Sequence, residues 1–133
     1  MEGIILGIES TAHTFSFGRV STSGELFPSF SSLYRPEEGG IHPREAADHH
    51  SETTSLLLER LSSSDDFSWD SIIAVAFSQG PGLGPCLRVG ASVARTLSTR
   101  LSVPLLGVNH CVAHIEVGRN QTCLLYTSDA ADE

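Results

Sequence analysis

The stretch Val108-Asn109-His110-Cys111-Val112-Ala113-His114-Ile115-Glu116 directly follows a short apolar run over residues 105–108. The run reads as a strand, and the stretch after it as a helix. Helix positions four apart share one face, about one turn from each other. His110 and His114 have that spacing, and two imidazoles so placed can grip one divalent transition metal from the same side. A strand that feeds such a helix puts the histidines at the carboxyl edge of a sheet, where open α/β sheets carry their sites. The same spacing also suits two capped, solvated or hydrogen-bonded histidines. A closed metal site needs three or four ligands, and only two are in view. Spacing alone leaves both uses open.

A chain of 133 residues bounds one domain with a single core. No run approaches the ~18 apolar residues of a membrane span, and no basic-then-apolar leader opens the chain. The expectation is a cytoplasmic protein with no membrane partner. Cys86, Cys111 and Cys123 are scattered and odd in number, which indicates neither a disulfide framework nor a cysteine zinc site. A net charge of −8 argues against a surface that coats nucleic acid generally, though not against local RNA contact. All eight basic residues are arginine. Without lysine, neither a GxxxxGK[ST] phosphate loop nor a lysine Schiff base is possible in this chain.

Outward from the histidine helix, residues 72–77 are apolar on both faces, the pattern of a buried parallel strand. Gly80-Pro81-Gly82-Leu83-Gly84-Pro85 follows, then a helix over about 86–101 whose inner face runs Leu87, Gly90, Ala91, Ala94, Leu97 and Leu101. A glycine-rich loop at a helix start can hold an anion, but it lacks the spacing and lysine of the named phosphate loops, and a tight turn is the expected use. Residues 105–108 complete this βαβ unit.

Upstream, residues 4–9 read as a central strand ending in Glu9, 14–20 as a second strand, and 26–34 as a weaker third strand interrupted by Pro28. Glu9, Ser10 and Thr11 bring a carboxylate and two hydroxyls to the first turn, where a phosphate-bearing ligand could approach, although a plain hairpin loop is the favoured reading. From Pro43, apolar residues recur at three- and four-residue steps through Leu61, an amphipathic helix of roughly five turns. His49 and His50 fall on it about 100° apart and cannot both face one metal, so they read as structural or solvated. Three strands followed by helix, strand, helix, strand and helix predict one mixed sheet with flanking helices.

Four motifs in this order resemble one family closely. They are Gly7-Ile-Glu-Ser-Thr-Ala-His-Thr14, Gly39-Gly-Ile-His-Pro-Arg-Glu-Ala-Ala-Asp-His-His50, Ala76-Phe-Ser-Gln-Gly-Pro-Gly-Leu-Gly-Pro85 and Gly107-Val-Asn-His-Cys-Val-Ala-His-Ile-Glu116. Together they are similar to the tRNA threonylcarbamoyladenosine transferases, in the archaeal and eukaryotic branch that forms the catalytic subunit of KEOPS. The resemblance implies an α/β fold, the ribonuclease-H-like N-terminal lobe of the actin/Hsp70/sugar-kinase (ASKHA) type. It implies transfer of a threonylcarbamoyl group from its adenylate to the adenosine beside the anticodon of tRNA. His110 and His114 match the family's metal-ligand histidines, which hold an iron or zinc ion. The implied partners are tRNA and the other KEOPS subunits, including a small kinase/ATPase.

The resemblance ends near Arg119. Residues 123–133 look like a translated transposase-type sequencing adapter, so 1–122 is expected to be an incomplete lobe and the tail non-native. Tyr126 superficially echoes a family tyrosine but lacks the flanking glycines, and is not carried over. The family's substrate-binding motifs and a metal-ligand aspartate are expected beyond the fragment, which is therefore expected to be inactive alone. Two other readings compete. A metallopeptidase, a label the family has also carried, would need glutamate where Cys111 stands in the HExxH pattern. A non-enzymatic partner lobe would not account for both histidines.

Overall fold

The computed structural model describes residues 2–122, so the expected non-native tail lies outside the described residues. Five strands form one sheet: β1 (Ile4–Glu9), β2 (Thr14–Ser21), β3 (Phe30–Leu33), β4 (Ile72–Gly80) and β5 (Leu105–Asn109). Their spatial order is β3-β2-β1-β4-β5. The first three form the expected antiparallel meander, whereas β4 runs parallel to β1 and β5 parallel to β4. Between them lie α1 (Pro43–Ser62), a short 3-10 turn (Trp69–Ser71) and α2 (Gly84–Leu101), with α3 (His110–Thr122) after β5.

Alternation along the strands decides which face is covered. Leu6, Ile8, Phe15 and Phe17 point to one face and meet Leu57 and Leu61 of α1 and Ala94 of α2, all buried. The periodic apolar positions of α1 point into this core, with His50 fully buried among them. The opposite face carries a strip of minimal side chains, because Gly18 of β2, Gly7 of β1 and Ala76 of β4 stand in register. Above it lies an open cleft of about 800 Å³, bounded on one side by Ala113, His114 and Val117 of α3.

Three expectations need correction. The third strand is shorter than 26–34: Leu26 makes only an isolated bridge to Val20, and the ladder resumes at Phe30. Pro28, which has no N–H to donate, falls in the gap. Next, β4 is not buried on both faces, since Ile73 is 45% exposed and the cleft opens over Ala76. An apolar run cannot report that one layer of the sandwich is incomplete. Last, α2 begins at Gly84 rather than 86, with Pro85 in its first turn.

A charged residue sits in the core face. Arg19 is 5% exposed; it pairs with Asp66 at 3.1 Å and lies 5.0 and 5.6 Å from the rings of Phe27 and Phe67. Aromatic faces attract a guanidinium, which makes its burial tolerable.

Close packing of α2 on the first turn depends on one missing side chain. A Cβ at Gly90 would lie 2.0 Å from the Oγ of buried Ser10. Gly90→Ala should therefore destabilise the chain by ~1–3 kcal/mol through overpacking, against the ~1 kcal/mol that alanine gains in an exposed helix. A urea midpoint unchanged or raised by the substitution would show that the helix can move away. A second expectation concerns pH. Burial pushes the His50 pKa below its ordinary 6.5. The unfolded chain binds that proton near pH 6.5 while the folded chain refuses it until lower pH. Unfolding then takes up a proton, and stability falls as pH drops below about 6.5. His50→Gln, which cannot titrate, should flatten the fall in urea midpoint between pH 7.5 and 5.5; an unchanged slope would reject this origin.

Candidate metal centre

Asn109 ends β5 and caps α3: its Oδ1 accepts the backbone N–H of Cys111 at 2.9 Å and of Val112 at 3.1 Å. That side chain satisfies two amides that a helix start leaves open. The cap fixes His110 as the first helical residue and His114 one turn on. Their rings meet edge to face, with centroids 4.5 Å apart and planes at 81°. Both thus stand at the carboxyl edge of the parallel strands, on the open face.

Glu9 stands opposite, at the carboxyl end of β1. Its Oε2 accepts the Thr11 N–H at 2.7 Å and the Thr11 hydroxyl, and its Oε1 accepts the Ser78 hydroxyl. The Nδ1 of His110 lies 3.3 Å from the same Oε1 and 3.5 Å from the Thr11 hydroxyl oxygen. Burial raises the Glu9 pKa, but the hydrogen bonds from Ser78 and Thr11, with His110 nearby, outweigh burial and hold it below the ordinary carboxylate value. Ionised Glu9 can only accept, so the Nδ1 of His110 is the donor in this contact. A carboxylate behind an imidazole is the usual outer support of a metal-ligating histidine: it fixes the tautomer and raises ligand basicity.

The turn that holds Thr11 is pinned by three separate elements through three successive carbonyls. Thr11 O accepts the Leu83 N–H at 2.8 Å, Ala12 O the His50 Nε2–H at 2.8 Å, and His13 O the Tyr34 N–H at 2.8 Å. The glycine-rich loop is thus used for packing. A Cβ at Gly82 would come within 2.7 Å of Thr11 O, so only glycine lets the loop lie against the turn.

The sequence pairing of His110 and His114 is therefore a spatial pairing as well. His49 and His50 lie apart from it, on α1, where despite their offset of about 100° the two Nδ1 atoms come within 2.9 Å of each other. Glu116 forms an exposed ion pair with Arg119 at 3.3 Å and does not serve the histidines as a base. From residue order alone Glu9 is the end of a strand entering a plain loop, and nothing local marks Ser78. The available signal was an acid closing an apolar central strand. Among the described residues no group of three His, Cys, Asp or Glu side chains is arranged to hold a metal. Cys86 and Cys111 are free thiols, and Cys123 lies outside the described residues.

The family model for TsaD, tRNA N6-adenosine threonylcarbamoyltransferase, matches residues 29–130. The chain belongs to this family. A tRNA N6-adenosine threonylcarbamoyltransferase of Archaeoglobus fulgidus is 56% identical over 119 residues, covering 90% of this chain and 36% of that protein. The relative of the same name in Methanopyrus kandleri is 53% identical, covering 87% of this chain and 34% of that one. A Methanocaldococcus jannaschii protein named "Probable bifunctional tRNA threonylcarbamoyladenosine biosynthesis protein" is 50% identical over 90% of this chain and 22% of its own length. The chain thus spans little more than a third, or less, of these curated relatives. Among solved structures, YeaZ from Pseudomonas aeruginosa superposes with a TM-score of 0.69 at 16% identity, covering 91% of this chain and 50% of that one. RuvC of T. thermophilus, solved with a Holliday junction, reaches 0.53 at 12% identity over 95% and 75%. These likenesses show the fold, the ribonuclease-H-like lobe of the ASKHA type, as the family motifs imply.

Replacing Glu9 by Gln keeps the shape but frees the tautomer of His110. Zn²⁺ affinity at His110 and His114 should drop on the order of 10–100-fold, the usual cost of losing an outer-shell carboxylate. Calorimetric titration of the variant beside the wild type reads this, and equal affinities would remove Glu9 from the centre.

Proposed function

We propose that the full-length protein carrying this lobe transfers a threonylcarbamoyl group from its adenylate to the adenosine next to the anticodon of tRNA, using an iron or zinc ion held by His110 and His114. The observation that carries the reading is the adjacent, edge-to-face pair of imidazoles at the sheet edge with Glu9 behind one of them. Family membership supplies the reaction class. The residues fit a transition metal: both candidate donors are imidazole nitrogens, and a carboxylate stands behind the Nδ1 of His110 as outer support. Two ligands do not close a site, so the remaining donor is assigned to chain beyond the described residues.

When bound, the metal would supply Lewis-acid and template chemistry for an anionic acyl-adenylate. This chain's own groups have narrower tasks. His110 and His114 orient through α3, Asn109 sets the start of that helix, and Glu9 keeps the Nδ1 proton on His110. Ser78 and Thr11 keep Glu9 ionised and aimed. The cleft beside them offers mostly apolar and small side chains. In the same reading the protein is cytoplasmic and works with the other KEOPS subunits, a small kinase/ATPase among them. The word "bifunctional" in the name of the Methanocaldococcus relative supports a second activity near this one.

A chimaera of residues 1–119 with the remainder of the Archaeoglobus fulgidus relative tests the reading. Supplied with the adenylate and unmodified tRNA, it should form threonylcarbamoyladenosine. His110→Ala and His114→Ala should each lower the rate by on the order of 100-fold or more while the protein stays folded. A chimaera that binds metal yet leaves tRNA unmodified would sink the reaction, and metal-dependent cleavage of a glycoprotein would favour a peptidase instead.

A further inference from the structure

Outside the metal edge, one buried cluster of titratable side chains has no evident use in the core. His50 is fully buried on α1, beside Phe15, and its ring is edge-on to His49 with centroids 5.1 Å apart. Hydrophobic side chains of similar size would fill this space without polar atoms. The hydrogen bonds explain what a histidine pair does there.

The chain of contacts has one direction. His50 Nε2 lies 2.8 Å from Ala12 O, a carbonyl that can only accept, so Nε2 carries the proton. Neutral His50 therefore offers a lone pair at Nδ1, and the Nδ1 of His49, 2.9 Å away, donates to it. Neutral His49 in turn accepts at Nε2 from the Ser32 hydroxyl, 3.0 Å away. The order is Ser32 to His49 to His50 to Ala12, running from β3 through α1 into the first turn. Each member has a single allowed proton position, and polarised chains of this kind hold their geometry better than separate bonds.

We infer that His49 and His50 are positioning residues for the metal edge: their directed hydrogen-bond chain fixes Ala12 O, and so holds the turn that aims Glu9 at His110. The turn's other two anchors are backbone amides of Leu83 and Tyr34, leaving His50 as the side-chain anchor among the three. Ala12 adjoins Thr11, whose N–H and hydroxyl hold Glu9. A lost donor at Ala12 leaves a carbonyl unsatisfied beside the core, and the turn relaxes toward water. Glu9 then loses its aim without any change at Glu9 itself. The inference rests on the metal reading of His110 and His114.

The test uses the full 133-residue chain and Zn²⁺, followed by the NMR ring signals of His110 and His114, with Thr11 amide exchange measured in parallel. His50→Phe keeps the ring volume and the contact with Phe15 but cannot donate. It should weaken Zn²⁺ binding by roughly three- to tenfold, less than direct loss of the outer carboxylate, and speed Thr11 exchange. His50→Gln, whose amide can still donate to Ala12 O, should restore affinity to within about twofold. In a Glu9→Gln background His50→Phe should add nothing, because both changes act through one carboxylate. Wild-type affinity in His50→Phe, or a loss that adds in full to that of Glu9→Gln, overturns the inference. If His50→Phe does not fold, His49→Phe, at the half-buried end of the chain, should give the same two effects, and its silence counts against the inference equally. Should the wild type show no Zn²⁺ response at either ring, the metal reading fails. Thr11 exchange unchanged by His50→Phe then rejects the positioning role separately.

Discussion

The carboxylate of Glu9 is the fixed point of this lobe. It closes the central strand, where β1 is paired on both sides. Three donors hold its two oxygens, from Thr11 and Ser78, and a fourth group, His110, is met from α3. A half-buried carboxylate stays charged when hydrogen bonds replace its water. Because the donors come from β1–β2 and β4, Glu9 can be held only when the antiparallel meander and the parallel βαβ unit are docked in register. The site is therefore a check on the whole sheet.

Much of this was legible in residue order. Near-continuous apolar runs at 4–9 and 72–77 marked the central strands, and three- and four-residue recurrence from Pro43 marked α1. The HxxxH spacing gave a true spatial pair because a helix converts that interval into one face. What stayed hidden was whatever depends on contact between distant segments. Glu9 and His110 are 101 positions apart, and no local pattern announces their meeting. Ser78 lies just past the apolar run 72–77, where nothing local marks it. Arg19 read as a strand residue, since the aromatic rings that receive it come from residues 27 and 67. The exposed face of β4 was hidden for another reason: apolar alternation states what a strand can bury, not what is present to bury it.

Glycine has two physically different roles in this architecture. At Gly82 and Gly90 its absence of a side chain lets a loop and a helix touch the first turn, so the scaffold closes down on the segment that carries Thr11. At Gly7 and Gly18 the same absence leaves a bare strip of sheet beneath the cleft. The first role tightens the site from the core side, and the second leaves room on the other.

That bare face has a thermodynamic corollary. Helix α3 carries both imidazoles and rests against β4 and β5 with Val112, Ile115 and Val117 half exposed. Whatever apolar surface shields those side chains stabilises the helix that carries His110 and His114. By linkage, a metal that stiffens α3 must favour the shielded state by the same free energy. On the proposed metal reading, ion binding and burial of this face are linked equilibria, and a shift in one reports on the other.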